Sequence, residues 1–118
     1  MVAPATGAVV LVRFPFSDLS RSKLRPAVVL ADVGRGDRVL CQVTSKPYGD
    51  AAAVVLEPTA FVSGSLQVIS YARPGKLFTA SSDLITAEVG MLGREVLIRI
   101  VDAVVLLLRA GTASSPQP

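Results

Sequence analysis

Lys23-Leu24-Arg25-Pro26-Ala27-Val28-Val29-Leu30 is the stretch from which the rest of the chain can be read. A proline pushes the residue before it out of the helical region toward extended backbone. Proline itself has a fixed φ and is tolerated at the first position of a strand. Arg25 therefore sits at a stiff loop-to-strand junction, and its guanidinium has a defined direction. From Pro26 to Ala31 the chain has strand character, with apolar residues on both faces through Leu30, the pattern of a central strand covered on both sides. A permanent cation on the rim of a rigid element can hold a phosphate. The same residue also fits a solvated arginine at a strand end.

Outward from this stretch, strand signals recur. Ala8–Phe14 alternates, with Val10, Val12 and Phe14 facing one way and Val9, Leu11 and Arg13 the other; Pro15 ends it. Phe16–Leu24 is a long loop rich in Ser and charge, a usual place for function on a rigid scaffold. Val33-Gly34-Arg35-Gly36-Asp37 has turn chemistry, and Arg38–Thr44 alternates as a third strand. If the second and third strands pair about this turn, Arg25 and Thr44 meet at the same end of the sheet. Ser45–Asp50 is a second polar loop. Further strands are expected at Ala53–Leu56, Leu66–Tyr71 and Lys76–Thr79, with a turn or single helical turn at Ser81–Asp83.

Gly93 precedes one helix, Arg94–Arg109, whose polar Glu95, Arg99, Asp102 and Arg109 share a narrow side. Glu95 and Arg99 form an i,i+4 pair in the favourable order. The remainder, Val96–Leu108, is apolar nearly all round, which calls for cover on more than one side. In a chain of 118 residues the second cover can be another subunit, so a homodimer is expected. Many short strands followed by a C-terminal helix indicate a mainly β domain, a strongly curved antiparallel sheet or partly open barrel. One domain over residues 1–118 is expected, with its core at about 7–110 and loose ends at 1–6 and 111–118.

Composition narrows the chemistry. The formal charge is +3 and the pI about 9.5, a mild surplus that favours anionic partners. The chain has no histidine, which excludes Ser-His and Cys-His nucleophilic pairs and the usual zinc sites. No metal and no other cofactor is expected. Cys41 is the single cysteine, so no intrachain disulfide forms, in keeping with a reducing cytoplasm. It falls on the Val39/Val43 face of its strand and reads as a small core residue. No signal peptide and no membrane span is read in the sequence.

Val9–Asp18, Lys23–Leu30 and Val43-Thr44-Ser45, in this order, resemble the MazF/PemK family of toxin–antitoxin endoribonucleases. Tyr71–Phe78 and Val89-Gly90-Met91-Leu92 resemble it as well, so the likeness covers roughly residues 7–109. It implies an SH3-like barrel of the PemK/CcdB type, a homodimer, and sequence-selective cleavage of single-stranded mRNA without metal. It further implies a cognate antitoxin whose flexible segment covers the active groove.

In such cleavage the 2′-hydroxyl attacks the adjacent phosphate; protein groups move two protons and stabilise charge on the phosphate oxygens. Arg25, with its planar fork, and Thr44, a hydrogen-bond donor at the end of the next strand, are the expected catalytic pair. Phe16, Ser17, Asp18, Lys23, Ser45, Lys46, Tyr48, Arg73 and Lys76 are the expected substrate contacts, the cations on the RNA backbone and the aromatics, with Tyr71, on unpaired bases. The general base is open among Asp18, Asp50 and Glu88. A toxin of the CcdB type, which binds and poisons DNA gyrase without cleaving RNA, is the alternative on the same fold; the Arg25-Pro26 and Thr44 pair favours the ribonuclease branch.

Overall fold

The computed structural model describes residues 4–14 and 23–116. Seven strands form one antiparallel sheet, and a helix follows: β1 Ala8–Phe14, β2 Lys23–Gly34, β3 Asp37–Thr44, β4 Val54–Leu56, β5 Phe61–Gly64, β6 Ser70–Ser81, β7 Ile85–Leu92 and α1 Arg94–Ala113. The sheet order is β4-β6-β3-β2-β1-β7-β5. The strand that holds Arg25 is thus the middle one of the seven.

Its apolar run is buried on both faces, as a central strand requires. Val28 pairs with Val9 on one side and Cys41 on the other, and this row packs with Val96 and Ile100 of α1. Ala27 and Val29 belong to the opposite face, with Val10, Val12 and Leu40, where Ala80 and Ile85 close the curl of the sheet. The result is a half-barrel whose concave and helix-covered faces share one set of alternating strands.

Gly34 pairs with Asp37, and the two residues between them, Arg35 and Gly36, have φ of 57° and 79°. This is the primed hairpin turn whose twist matches the strands. Beside it Arg38 is 8% exposed. Its Nη1 meets Asp32 Oδ1 at 3.2 Å and donates to the Asp37 carbonyl at 3.1 Å, while its Nε reaches the Pro4 carbonyl at 3.5 Å. The arginine is used up in tying the N-terminal segment to the closed end of the hairpin.

Several elements depart from the sequence expectation. The expected strand at Leu66–Tyr71 is displaced: Phe61–Gly64 is the strand, residues 65–69 are irregular, and β6 begins at Ser70. Lys76–Thr79 is not separate but part of β6, which runs through Pro74 because a bulge between the Cys41 and Val43 pairings absorbs residues 73–76. Ile85–Leu92, not expected as a strand, pairs with β1 and β5. The helix continues to Ala113, so Gly111 lies in its last turn and not in a loose tail. Within the chain α1 buries only Val96, Ile100 and Val104.

Candidate active groove

Continuing the β2–β3 register from the Ala27–Gln42 pair by two residues brings Arg25 opposite Thr44. On its other side Arg25 pairs with Val12 of β1. The turn alone does not set this register: counted from the Gly34–Asp37 pair, Arg25 would face Lys46, and two register shifts, between Val29 and Ala31 and between Asp32 and Gly34, move it by two residues and bring a cation and a hydroxyl to the same end of the sheet. Arg25 is half-buried there, with its Nε shielded from solvent.

Both residues line a groove of about 680 Å³. One wall is the end of the central strands, with Lys23, Leu24, Arg25, Thr44 and Ser45 over an apolar floor of Leu11, Pro26 and Val43. The other wall is the irregular segment with Ser65, Leu66, Gln67 and Val68, followed by Ser70. Two cations and no carboxylate are among the described residues that line it. The field in the groove favours an anion.

The Thr44 hydroxyl is oriented by its own loop. Its Oγ1 accepts a hydrogen bond from the Lys46 backbone N–H at 3.1 Å. One lone pair is thereby occupied, and the hydroxyl hydrogen is left to donate elsewhere. No other hydrogen bond fixes the Thr44 hydroxyl among the described residues.

Of the expected substrate contacts, Lys23 and Ser45 line the groove. Phe16, Ser17 and Asp18 lie outside the described residues. Lys46 and Tyr48 lie beyond Ser45 on the loop leaving β3, and Lys76 is exposed in the β6 bulge. Arg73 is engaged within the protein: its Nε donates to Asp50 Oδ2 at 3.1 Å, and its guanidinium carbon lies 5.8 Å from the centre of the Tyr48 ring. Tyr71 is half-buried, paired with Thr44 and Val55.

The same contacts sort the acids. The hydrogen bond from Arg73 and one from the Ala52 N–H hold the Asp50 carboxyl below its ordinary value, which makes it a weak base. Glu88 sits on β7 opposite Val10 and does not line the groove. Among the described residues no group of three Cys, Asp or Glu side chains could hold a metal ion. Cys41 is fully buried and donates to the Arg73 carbonyl at 3.2 Å; desolvation pushes its pKa up to about 12, so it stays a thiol.

Sequence reasoning did not find the second wall, residues 65–70. Its one local signal is the polar Ser63-Gly64-Ser65 break before Leu66, which could have marked a crossing segment in place of a strand start.

No family model matches the chain, and no curated protein matches it. Solved structures do. The chain is similar to MazF in a MazE–MazF structure from Deinococcus radiodurans, with TM-score 0.74 at 21% identity over 92% of this chain and 98% of that one. A mycobacterial endoribonuclease in complex with its cognate antitoxin gives 0.69 at 16% identity, with both chains covered completely. Toxin MazF-mt6 of Mycobacterium tuberculosis gives 0.68 at 15% identity over 86% of this chain and 96% of that one. At such identities the likeness speaks for the fold: the half-barrel with its C-terminal helix is the MazF fold. No helix among the described residues is long and apolar enough to cross a membrane.

Proposed function

We propose that the chain is the toxin of a type II toxin–antitoxin pair of the MazF/PemK type, a cytoplasmic endoribonuclease that cuts single-stranded mRNA at selected sequences without a metal. The observation that carries this reading is that Arg25 and Thr44 line one cationic groove at the open end of the β2–β3 hairpin. The MazF fold and the antitoxin complexes among its solved relatives support it.

The chemistry follows from the substrate. The 2′-oxygen forms a bond to the adjacent phosphorus, the bond from phosphorus to the 5′-oxygen breaks, and a 2′,3′-cyclic phosphate remains. One proton leaves the 2′-oxygen and one reaches the 5′-oxygen. Negative charge builds on the non-bridging oxygens between these events. Arg25 can donate two parallel hydrogen bonds to those oxygens, and Thr44 a third from the neighbouring strand. The low-dielectric floor of Leu11, Pro26 and Val43 strengthens both. Lys23 holds the flanking backbone. Of the three candidate bases, Asp50 is engaged by Arg73, Glu88 does not line the groove, and Asp18 lies outside the described residues.

Purified protein incubated with a long RNA in EDTA is the direct test. Discrete fragments ending in a cyclic or 3′-phosphate are expected. Activity that vanishes in EDTA and returns with magnesium would sink the metal-free mechanism, and intact RNA with inhibited gyrase would favour a CcdB-type toxin.

The reading includes a homodimer. Beside its buried row, α1 exposes Ile98, Val101, Val105 and Leu108, spaced three, four and three apart. A second stripe of this kind is suited to an isologous contact across a two-fold axis. The groove is then where an acidic, flexible antitoxin segment competes with RNA. Sedimentation at micromolar concentration should return twice the chain mass; a monomer with full ribonuclease activity would remove the dimer from the proposal.

A further inference from the structure

Tyr48 is held in a conformation that a tyrosine rarely adopts. Its φ is 54°, and that of Gly49 is 71°. The Asp50 N–H donates to the Pro47 carbonyl at 3.0 Å, closing a reverse turn around these two left-handed residues. Glycine meets this requirement at the second position without strain. At the first position a bulky side chain costs free energy that the rest of the structure must offset. The side chain kept there gains no burial, since Tyr48 is 72% exposed.

What the turn does achieve is a fixed direction for the ring. The Arg73 guanidinium lies under it at 5.8 Å. Arg73 in turn is clamped by Asp50 at 3.1 Å, and the other oxygen of Asp50 accepts the Ala52 N–H at 3.0 Å. The aromatic face is thus backed by a cation, which is itself fixed by a carboxylate in the same loop. The outward face of the ring is open to solvent. Tyr48 stands three residues beyond Ser45, which lines the groove, so about 10 Å of extended chain at most separates them.

We infer that Tyr48 is a stacking platform for one unpaired nucleobase of the RNA strand, flanking the scissile phosphate, and that Arg73 and Asp50 are its positioning residues. The inference rests on the ribonuclease reading. Every base offers a π-face, so a rigid exposed ring beside a cationic groove gives affinity with little sequence preference. Rigidity matters because a ring that is already ordered loses less freedom when the base arrives. Arg73 then serves the RNA through the ring and not by a direct ion pair, since Asp50 already engages its charge.

The test uses the shortest RNA strand that the wild type cleaves and its 2′-O-methyl copy as a binding probe. Tyr48→Ala should weaken binding of the copy roughly tenfold or more, the usual loss when one stacked base is released, and raise KM with little change in kcat. Tyr48→Phe should restore both, because the ring and not the hydroxyl makes the contact. Asp50→Asn should give a smaller loss of the same kind. Tyr48→Gly should lose binding equally while melting no lower than the wild type, a combination that a purely structural tyrosine would not show. The chain has two tyrosines and no tryptophan, so in a Tyr71→Phe background the emission of Tyr48 alone should be quenched by the probe. Unchanged binding in Tyr48→Ala, or loss of antitoxin affinity alone, overturns the platform while leaving the ribonuclease intact. A wild type that neither binds nor cuts RNA overturns both readings.

Discussion

The two ends of the β2–β3 hairpin use the same residue types for opposite purposes. Each end has an arginine, an Asp–Arg ion pair close by, and a pair of consecutive residues with positive φ ending in glycine. At the closed end Arg38 is buried, and the Pro4 carbonyl, the Asp37 carbonyl and Asp32 take up its donors. Its positive-φ pair, Arg35-Gly36, only turns the chain. At the open end Arg25 and Thr44 border a groove of about 680 Å³, and the positive-φ pair Tyr48-Gly49 presents an exposed ring. Residue type alone does not separate structure from function here. Place does: one end is tied to the N-terminal segment, and the other lines a groove.

The comparison breaks most decisively through the two arginines. Arg25→Ala should lower cleavage roughly 10²-fold or more, the scale seen when a donor to a developing oxyanion is lost, with melting temperature unchanged. Arg25→Lys should also be poor, because an ammonium lacks the planar fork. Arg38→Ala should do the reverse: unpairing the half-buried Pro4 and Asp37 carbonyls costs about 1–3 kcal/mol, or a fall in Tm on the order of 5–20 °C for a domain of this size. Its activity per folded molecule should stay normal. Cleavage assays beside thermal melts of both variants decide the matter, and a folded, active Arg25→Ala protein would refute the assignment.

Thr44 sharpens the contrast at a smaller scale. Thr44→Val keeps the β-branched shape and removes the hydroxyl, so one hydrogen bond to the phosphate is lost, roughly tenfold in kcat. Thr44→Ser should retain most of the rate, since Ser can also accept the Lys46 N–H. Equal losses in both variants would mean that the methyl packing, not the hydroxyl, is what the site needs.

How much of this could be read in the sequence depends on where the information sits. The central strand was legible because burial on both faces leaves an unbroken apolar run, and that Arg25 and Thr44 share one end of the sheet was legible because a hairpin brings the far ends of its strands together, even though two register shifts within it set their exact alignment. β7 was not. Its alternation is spoiled by two register shifts against β1 and by Gly90, which reads as a breaker. That glycine is needed because a Cβ there would lie 2.7 Å from the Phe61 ring of the neighbouring strand β5. Pro74 in β6 misleads in the same way, since a bulge accommodates it. The groove wall at 65–70 owes its place to what crosses above the sheet, which no local pattern encodes. Arg73 read as a surface cation for RNA, and the Asp50 that engages it lies 23 residues away.

The smallest effect concerns that second ion pair. The Asp50 carboxyl is held below its ordinary value of 3.8, first by the hydrogen bond from Arg73 and then by the Ala52 N–H. A depressed carboxylate favours the folded state once it is ionised. Its contribution is therefore full above the unfolded value and fades as pH falls through the folded one. Wild type and Asp50→Asn should differ in stability at neutral pH and converge in acid below the Asp range. Because Asp50 and Arg73 are partly exposed, at 19% and 21%, solvent screens the pair and the difference is modest. Urea melts of both proteins between neutral pH and the acid limb read it directly. Curves that stay parallel throughout would show that the Asp50–Arg73 clamp, unlike the Asp32–Arg38 pair at the closed end, contributes nothing to the fold.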